Sequence, residues 1–378
     1  MIDNTYVKRN SFHKLSVNSE KNLINFKVNI SRLLSLALTE FMNTEKEIIK
    51  SIANLFEQED KKNFFLRANV VSEIGSLPDE KIVLYLIHRY KYEIFPEEKK
   101  LGLYPPLIQI EPTSICNFRC VFCYQTDTSF SQKKKSHMGQ MGFDMFRKIV
   151  DEIEGKVQFV TLASRGEPLI CKDICKMLDY TNDKFLNLKI NTNASMLNEE
   201  KCHAILKNKV GTMVISADAA DEKNYAKFRV NGDLKKILKN LELFNSIKSK
   251  YYSGSKIITR VSGVKFDETQ NINDMQNFWG NLVDQVAFVN YLPWENVYES
   301  DHTNIASACS DLWRRMFIWY DGTINPCDVD YKSTLNMGNI SNSLISELWR
   351  NQPYQDLRNK HMNKLRSSVS PCNKCSLI

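Results

Sequence analysis

Apolar positions recur at helical spacing through residues 1–100. Leu23, Phe26, Ile30, Leu33, Leu34 and Ala37 fall on one stripe, and Ile48, Ile49, Ile52 and Phe56 on a second. Thr44 followed by Glu47 has the form of a capping box for that second helix. The run Ser76-Leu77-Pro78-Asp79 breaks the pattern, and a third helix is expected through Leu84 and Ile87 to Tyr92. After Pro105 and Pro106 the period changes. Short apolar runs at 107–111, 158–163, 187–191, 213–217, 256–264 and 285–289 predict strands. Helix-period stretches at 143–154, 172–180, 199–207, 234–248 and 275–279 lie between them. This alternation predicts an α/β fold of βα units and a parallel sheet that curls, with chemistry at the carboxyl ends of the strands. The chain is thus expected to divide into a helical region at 1–100, a strand–helix region at 101–300 and a less regular segment at 301–378.

Composition changes that picture little. The 378 residues are 43% hydrophobic and 25% charged, ordinary values for a globular protein. A net charge of +7 is spread along the chain, and the basic run Lys133-Lys134-Lys135 reads as a solvated loop. No basic stripe carries interleaved aromatics, so nucleic acid is not an expected partner. The sequence holds no apolar stretch long enough to span a membrane and no apolar leader near Met1. A cytoplasmic protein with no membrane partner is the expectation. Ten cysteines in a reducing compartment are not there for disulfides, and their grouping has the form that metals require.

The first group is Cys116-Asn-Phe-Arg-Cys120-Val-Phe-Cys123, directly after the first predicted strand. Three thiolates this close can wrap one face of a cubane cluster, leaving the fourth iron without a protein ligand. A zinc site is the plainer alternative. The spacing C-x3-C-x2-C, with Phe122 before the last cysteine, resembles the radical S-adenosylmethionine (SAM) superfamily. The resemblance implies a partial (β/α)6 TIM-like barrel in which SAM chelates the open iron. It also implies an external one-electron donor, such as flavodoxin or ferredoxin, and a 5′-deoxyadenosyl radical that takes a hydrogen atom from substrate. Arg165-Gly166-Glu167-Pro168 is similar to the family's Gly-Gly-Glu-Pro, with Arg165 in place of the first glycine. Asn191-Thr192-Asn193-Ala194 resembles its Thr-Asn-Gly, and Ser216, Asp218 and Arg229 follow the next strand. By this resemblance Phe122, Gly166, Glu167, Pro168, Asn193, Ser216, Asp218 and Arg229 are SAM-site residues.

A second group, Cys309-x12-Gly322-x4-Cys327 and then Cys372-x2-Cys375, resembles the SPASM/Twitch extension of the same superfamily. Four cysteines imply one auxiliary [4Fe–4S] cluster in a small C-terminal iron–sulfur domain; a zinc ribbon is the alternative. Cys171, beyond Gly-Glu-Pro, is a candidate hydrogen-atom donor for a radical epimerase, or else a buried small hydrophobe. Glu295, Asp328 and Asp330 are candidate bases, and the six histidines show no ligand spacing. Members of this group oxidise an aminocyclitol alcohol or modify ribosomally made peptides. The first hundred residues lack the hairpin of a peptide-binding module, which favours a small polar substrate, a sugar or cyclitol, over a peptide. A non-enzymatic metal-binding or redox-carrier protein is the reading from another class.

Overall fold

The computed structural model describes residues 23–41, 43–57, 67–132, 137–293 and 295–377. The lysine run at 133–135 lies outside them. Four helices open the described chain: α1 (Leu23–Glu40), α2 (Asn43–Glu57), α3 (Ala68–Gly75) and α4 (Asp79–Glu98). Ile30, Leu34 and Ala37 of the first stripe and Ile49, Ile52 and Phe56 of the second are buried in one apolar cluster with Tyr85, Leu86 and Tyr90 of α4. Helix α2 begins at Asn43, ahead of the expected cap at Thr44. Helix α3 was not expected. Its eight residues are too few to repeat a helical stripe convincingly.

All six predicted strands form: β1 (Leu107–Ile110), β2 (Phe159–Leu162), β3 (Asn187–Thr192), β4 (Thr212–Ser216), β5 (Ile258–Lys265) and β6 (Gln285–Asn290). Each pairs in parallel with the next. Between them run α5 (Phe143–Ile153), α6 (Ile174–Tyr180), α7 (Glu199–Lys207), α8 (Leu234–Tyr251) and α9 (Ile272–Gly280). Caps explain several boundaries: the Asn198 side chain accepts from Lys201 N at 3.0 Å, and Asp233 does the same for Lys236 N at 3.2 Å. The result is the expected partial (β/α)6 barrel. The segment after 300 adds to it, because β7 (Arg315–Ile318) pairs in parallel with β1 and β8 (Ile324–Asn325) pairs antiparallel with β7. The sheet order is therefore β8-β7-β1-β2-β3-β4-β5-β6.

Alternation along the strands sorts side chains between two environments. Ile108, Ile110, Val160, Leu162, Leu188 and Ile190 pack into the apolar core. The intervening residues Gln109, Thr161, Lys189 and Asn191 point to the other side, where they line a cavity. Register aligns three of them in a belt, Gln109 opposite Thr161 and Thr161 opposite Lys189. The helical region covers the amino ends of the strands: His88 stacks on Phe159 with ring centroids 3.6 Å apart, and Glu73 lies 3.7 Å from Arg260. No helix among the described residues is long and apolar enough to cross a membrane.

Candidate active site

The loop after β1 carries Cys116, Cys120 and Cys123. Arg119 and Cys120 pair antiparallel with Val230 and Arg229, which ties the loop to the far side of the barrel. Burial pushes the Cys116 thiol up to about 12, with Glu167 and Cys120 adding to the shift. Burial also raises Cys123, and Cys120 and Cys116 reinforce it. Cys120 is raised by burial against the pull of Arg229, whose Nη1 donates to its Sγ at 3.6 Å. One buried and two half-buried thiols that share one neighbourhood and resist ionising alone suit a cationic metal body that takes them as thiolates. Among the described residues no three ligand-type side chains converge on a point for a single ion. A cubane needs its thiolates on separate corners.

A cavity of about 360 Å³ opens over these thiols, at the carboxyl ends of the strands. Of the residues predicted for the SAM site, Phe122, Gly166, Glu167, Asn193, Ser216 and Arg229 line it. Asp218 stands behind Arg229 as its fully buried ion-pair partner and also accepts from Val264 N at 2.6 Å. Pro168 opens the short turn after Glu167 and is buried behind the wall. Glu167 accepts from Leu169 N at 3.1 Å, Thr192 Oγ1 at 2.6 Å and Asn193 N at 2.7 Å, so it joins the β2 and β3 loops. Burial raises its pKa against those three donors. Asn193 Nδ2 donates to Asn117 Oδ1 at 3.0 Å, which anchors the cysteine loop to the end of β3.

Gly166 is required by the chain itself. A methyl group there would lie 2.3 Å from the Thr113 carbonyl oxygen and 2.6 Å from that of Ile115, just before Cys116. Arg165, the departure from the family pattern, is a tie between segments. Its Nε and Nη2 reach the two Glu111 oxygens at 2.7 and 2.6 Å, and its Nη1 donates to the Tyr331 carbonyl at 2.9 Å. Its guanidinium lies 4.2 Å from the Trp319 ring centroid. The turn at this position is thus bound to β1 and to the C-terminal segment at once.

That segment brings Cys309, Cys327, Cys372 and Cys375 around a second, small cavity walled by Leu312, Val329, Leu335 and Leu357. Burial raises Cys327, and Asp330, Cys372, Cys375 and Cys309 all add to the shift. Arg366 holds the Cys372–Cys375 turn, donating to the carbonyls of Cys372 at 3.0 Å and Cys375 at 2.7 Å. His361 also lines this cavity, and its Nδ1 accepts from Cys309 N at 3.2 Å. Burial, with Arg366 and Lys99 nearby, pushes its pKa down to about 4.

The candidate catalytic residues separate. Asp328 lines the first cavity, and one of its carboxylate oxygens, Oδ1, is buried without a partner. Glu295 pairs with the Tyr291 hydroxyl and does not line that cavity. Asp330 accepts from Tyr298, Thr334 and Leu335 and serves as a loop anchor. The Cys171 thiol is packed in the core, its nearest acceptor the Met141 carbonyl at 4.0 Å. Sequence reasoning did not single out Glu111, Lys189, His361 or Arg366. Polar residues at alternate positions of otherwise apolar strands were the available signal for Lys189. A larger cavity of about 490 Å³, lined by Tyr85, Phe159 and Lys256, lies at the opposite end of the strands, away from the cysteines. Parallel strands place their chemistry at the carboxyl ends, so the smaller cavity is the functional candidate.

Residues 110–272 match the model of the radical SAM superfamily, and residues 309–376 match that of an iron–sulfur cluster-binding domain, SPASM. The chain thus contains a radical SAM domain followed by a SPASM domain. SAM and two [4Fe–4S] clusters are the cofactors that these two domains imply. The chain is 28% identical over 218 residues to a GTP 3′,8-cyclase of Clostridium botulinum, a match that covers 54% of this chain and 64% of that protein. The chain thus spans less than two thirds of the length of that curated relative. A SAM-dependent 2-deoxy-scyllo-inosamine dehydrogenase of Niallia circulans is 20% identical over 279 residues, 72% of this chain and 93% of that protein. Among solved structures, Streptococcus suis SuiB bound to the precursor peptide SuiA superposes with a TM-score of 0.56 at 16% identity, over 79% of this chain and 75% of that one. That likeness is one of fold.

Proposed function

We propose that this radical SAM enzyme oxidises a small polar molecule, a sugar or cyclitol, at an alcohol carbon. In this reading Cys116, Cys120 and Cys123 hold the SAM-binding cluster, and Cys309, Cys327, Cys372 and Cys375 hold the auxiliary one. When bound, SAM and the open-cornered cluster supply a 5′-deoxyadenosyl radical as hydrogen-atom acceptor, and the auxiliary cluster supplies a sink for the remaining electron. The chain's own residues do the rest. Gln109, Thr161, Lys189 and Asn191 offer polar contacts to a hydroxylated substrate, and Arg229 steadies Cys120. Asp328 takes the hydroxyl proton as the carbonyl forms.

One observation carries the reading. Asp328 lines the substrate cavity while its chain neighbour Cys327 lines the auxiliary one, so base and electron sink stand side by side. The dehydrogenase relative, whose name specifies a cyclitol substrate, supports it. Epimerisation would need Cys171 at the cavity, and its thiol is in the core. The test is anaerobic turnover with SAM, dithionite and cyclitols deuterated at each carbinol carbon. Deuterium in the released 5′-deoxyadenosine, with a ketone product, is the expected result. Release of 5′-deoxyadenosine with no deuterium from any cyclitol would reject the substrate class, and no release from cluster-loaded protein would favour the redox-carrier reading.

A further inference from the structure

His361 is unusual among the buried polar groups. It is 1% exposed, it lines the cavity of the four C-terminal cysteines, and its Nε2 has no hydrogen-bond partner. Its other ring nitrogen is committed: Nδ1 accepts from Cys309 N at 3.2 Å, which makes Nε2 the protonated nitrogen of the neutral ring. A buried N–H donor without an acceptor costs about 1–3 kcal/mol. A native fold keeps such a group where something else completes it. Leu312, Val329, Leu335 and Leu357 in its walls offer no acceptor, and the one carboxylate among the lining residues, Asp311, is paired with Arg314 at 3.0 Å. The other acceptor side chains that the cavity gathers are the cysteine sulfurs.

We propose that His361 Nε2–H donates a hydrogen bond to a sulfur of the auxiliary cluster, a bridging sulfide or a cysteine thiolate, and so raises that cluster's reduction potential. This rests on the reading that Cys309, Cys327, Cys372 and Cys375 hold a [4Fe–4S] cluster. A hydrogen bond to a cluster sulfur stabilises the more negative, reduced state more than the oxidised one, so the reduced form gains. His361 is a positioning residue through Nδ1, which fixes the Cys309 backbone, and a potential-setting residue through Nε2. Both functions serve electron acceptance from the neighbouring substrate cavity.

The test uses the full chain with Cys116, Cys120 and Cys123 replaced by alanine, so that the auxiliary cluster is the sole signal. His361→Asn keeps an acceptor near Nδ1 and removes the Nε2 donor, whereas His361→Gln keeps a donor near the Nε2 position. An electron paramagnetic resonance redox titration should show the Asn variant harder to reduce by about tenfold in its reduced-to-oxidised ratio, ~59 mV for a one-electron couple. The Gln variant should recover part of that shift. An unchanged midpoint in His361→Asn, with the cluster present, overturns the inference. Absence of about four irons per chain from the parent triple-alanine protein overturns the underlying reading instead. Should the Asn variant fail to assemble, pulsed resonance on the parent with ¹⁵N-histidine decides the matter. Weak coupling to one nitrogen supports a hydrogen bond, while none, or the strong coupling of a direct ligand, rejects it.

Discussion

Two cysteine sites in this chain share ligand chemistry and differ in everything around it. The first gathers three thiols under a polar cavity of about 360 Å³, with Arg229, Glu167 and Asn193 in its wall. The second gathers four thiols in a small pocket walled by leucines and a valine, with Arg366 clamping the turn. The difference teaches how a fold assigns tasks to similar clusters. Removing one ligand and surrounding the gap with polar groups makes a site for SAM and substrate. Completing the ligand set and lining it largely with apolar side chains makes, in the function proposed above, a site for electron exchange alone.

The sharpest way to break this comparison is Cys120→Ala. It should abolish 5′-deoxyadenosine release and lower iron from about eight to about four per chain, leaving the auxiliary absorbance in place. Anaerobic iron analysis and chromatography check both. Next, Cys372→Ala with Cys375→Ala should keep SAM cleavage and lose the oxidised product, read as 5′-deoxyadenosine formed without ketone. Asp328→Asn should lower ketone formation roughly 10²–10⁴-fold while SAM cleavage continues, since only the proton acceptor is lost. Arg165→Gly restores the family's glycine but leaves the buried Glu111 carboxylate without its cation, held only by the backbone N–H groups of residues 165 and 320, at a cost of about 3–5 kcal/mol in urea unfolding. Gly166→Ala is the mildest. Its methyl would press on the Thr113 and Ile115 carbonyls and cost about 1–3 kcal/mol as the loop before Cys116 shifts.

Much of the fold was legible because strands buried on the helix side announce themselves as short apolar runs. All six barrel strands could be placed that way, and the cysteine spacings marked both sites. What stayed hidden depends on distant pairing. Strand β7 joins β1 from more than two hundred positions away and β8 pairs with β7, in a segment whose four- and two-residue strands carry no clear alternation. Arg165 looked like a defect in a motif because its partners, Glu111 and the Tyr331 carbonyl, lie 54 and 166 positions off. Asp218 and Arg229 were legible as residues but not as a pair that braces Cys120. His361 gave no signal by spacing, since its relevance comes from a helix, Gln352–Met362, that faces cysteines in three other stretches.

The central claim is that one site is open to SAM and the other closed. Electron paramagnetic resonance of the dithionite-reduced clusters, with and without SAM, tests it in two variants. In the Cys372→Ala, Cys375→Ala protein the signal of the remaining cluster should shift on adding SAM, whereas in Cys120→Ala the auxiliary signal should not move. A SAM-dependent shift of the auxiliary signal, or none at the first site, would contradict the account.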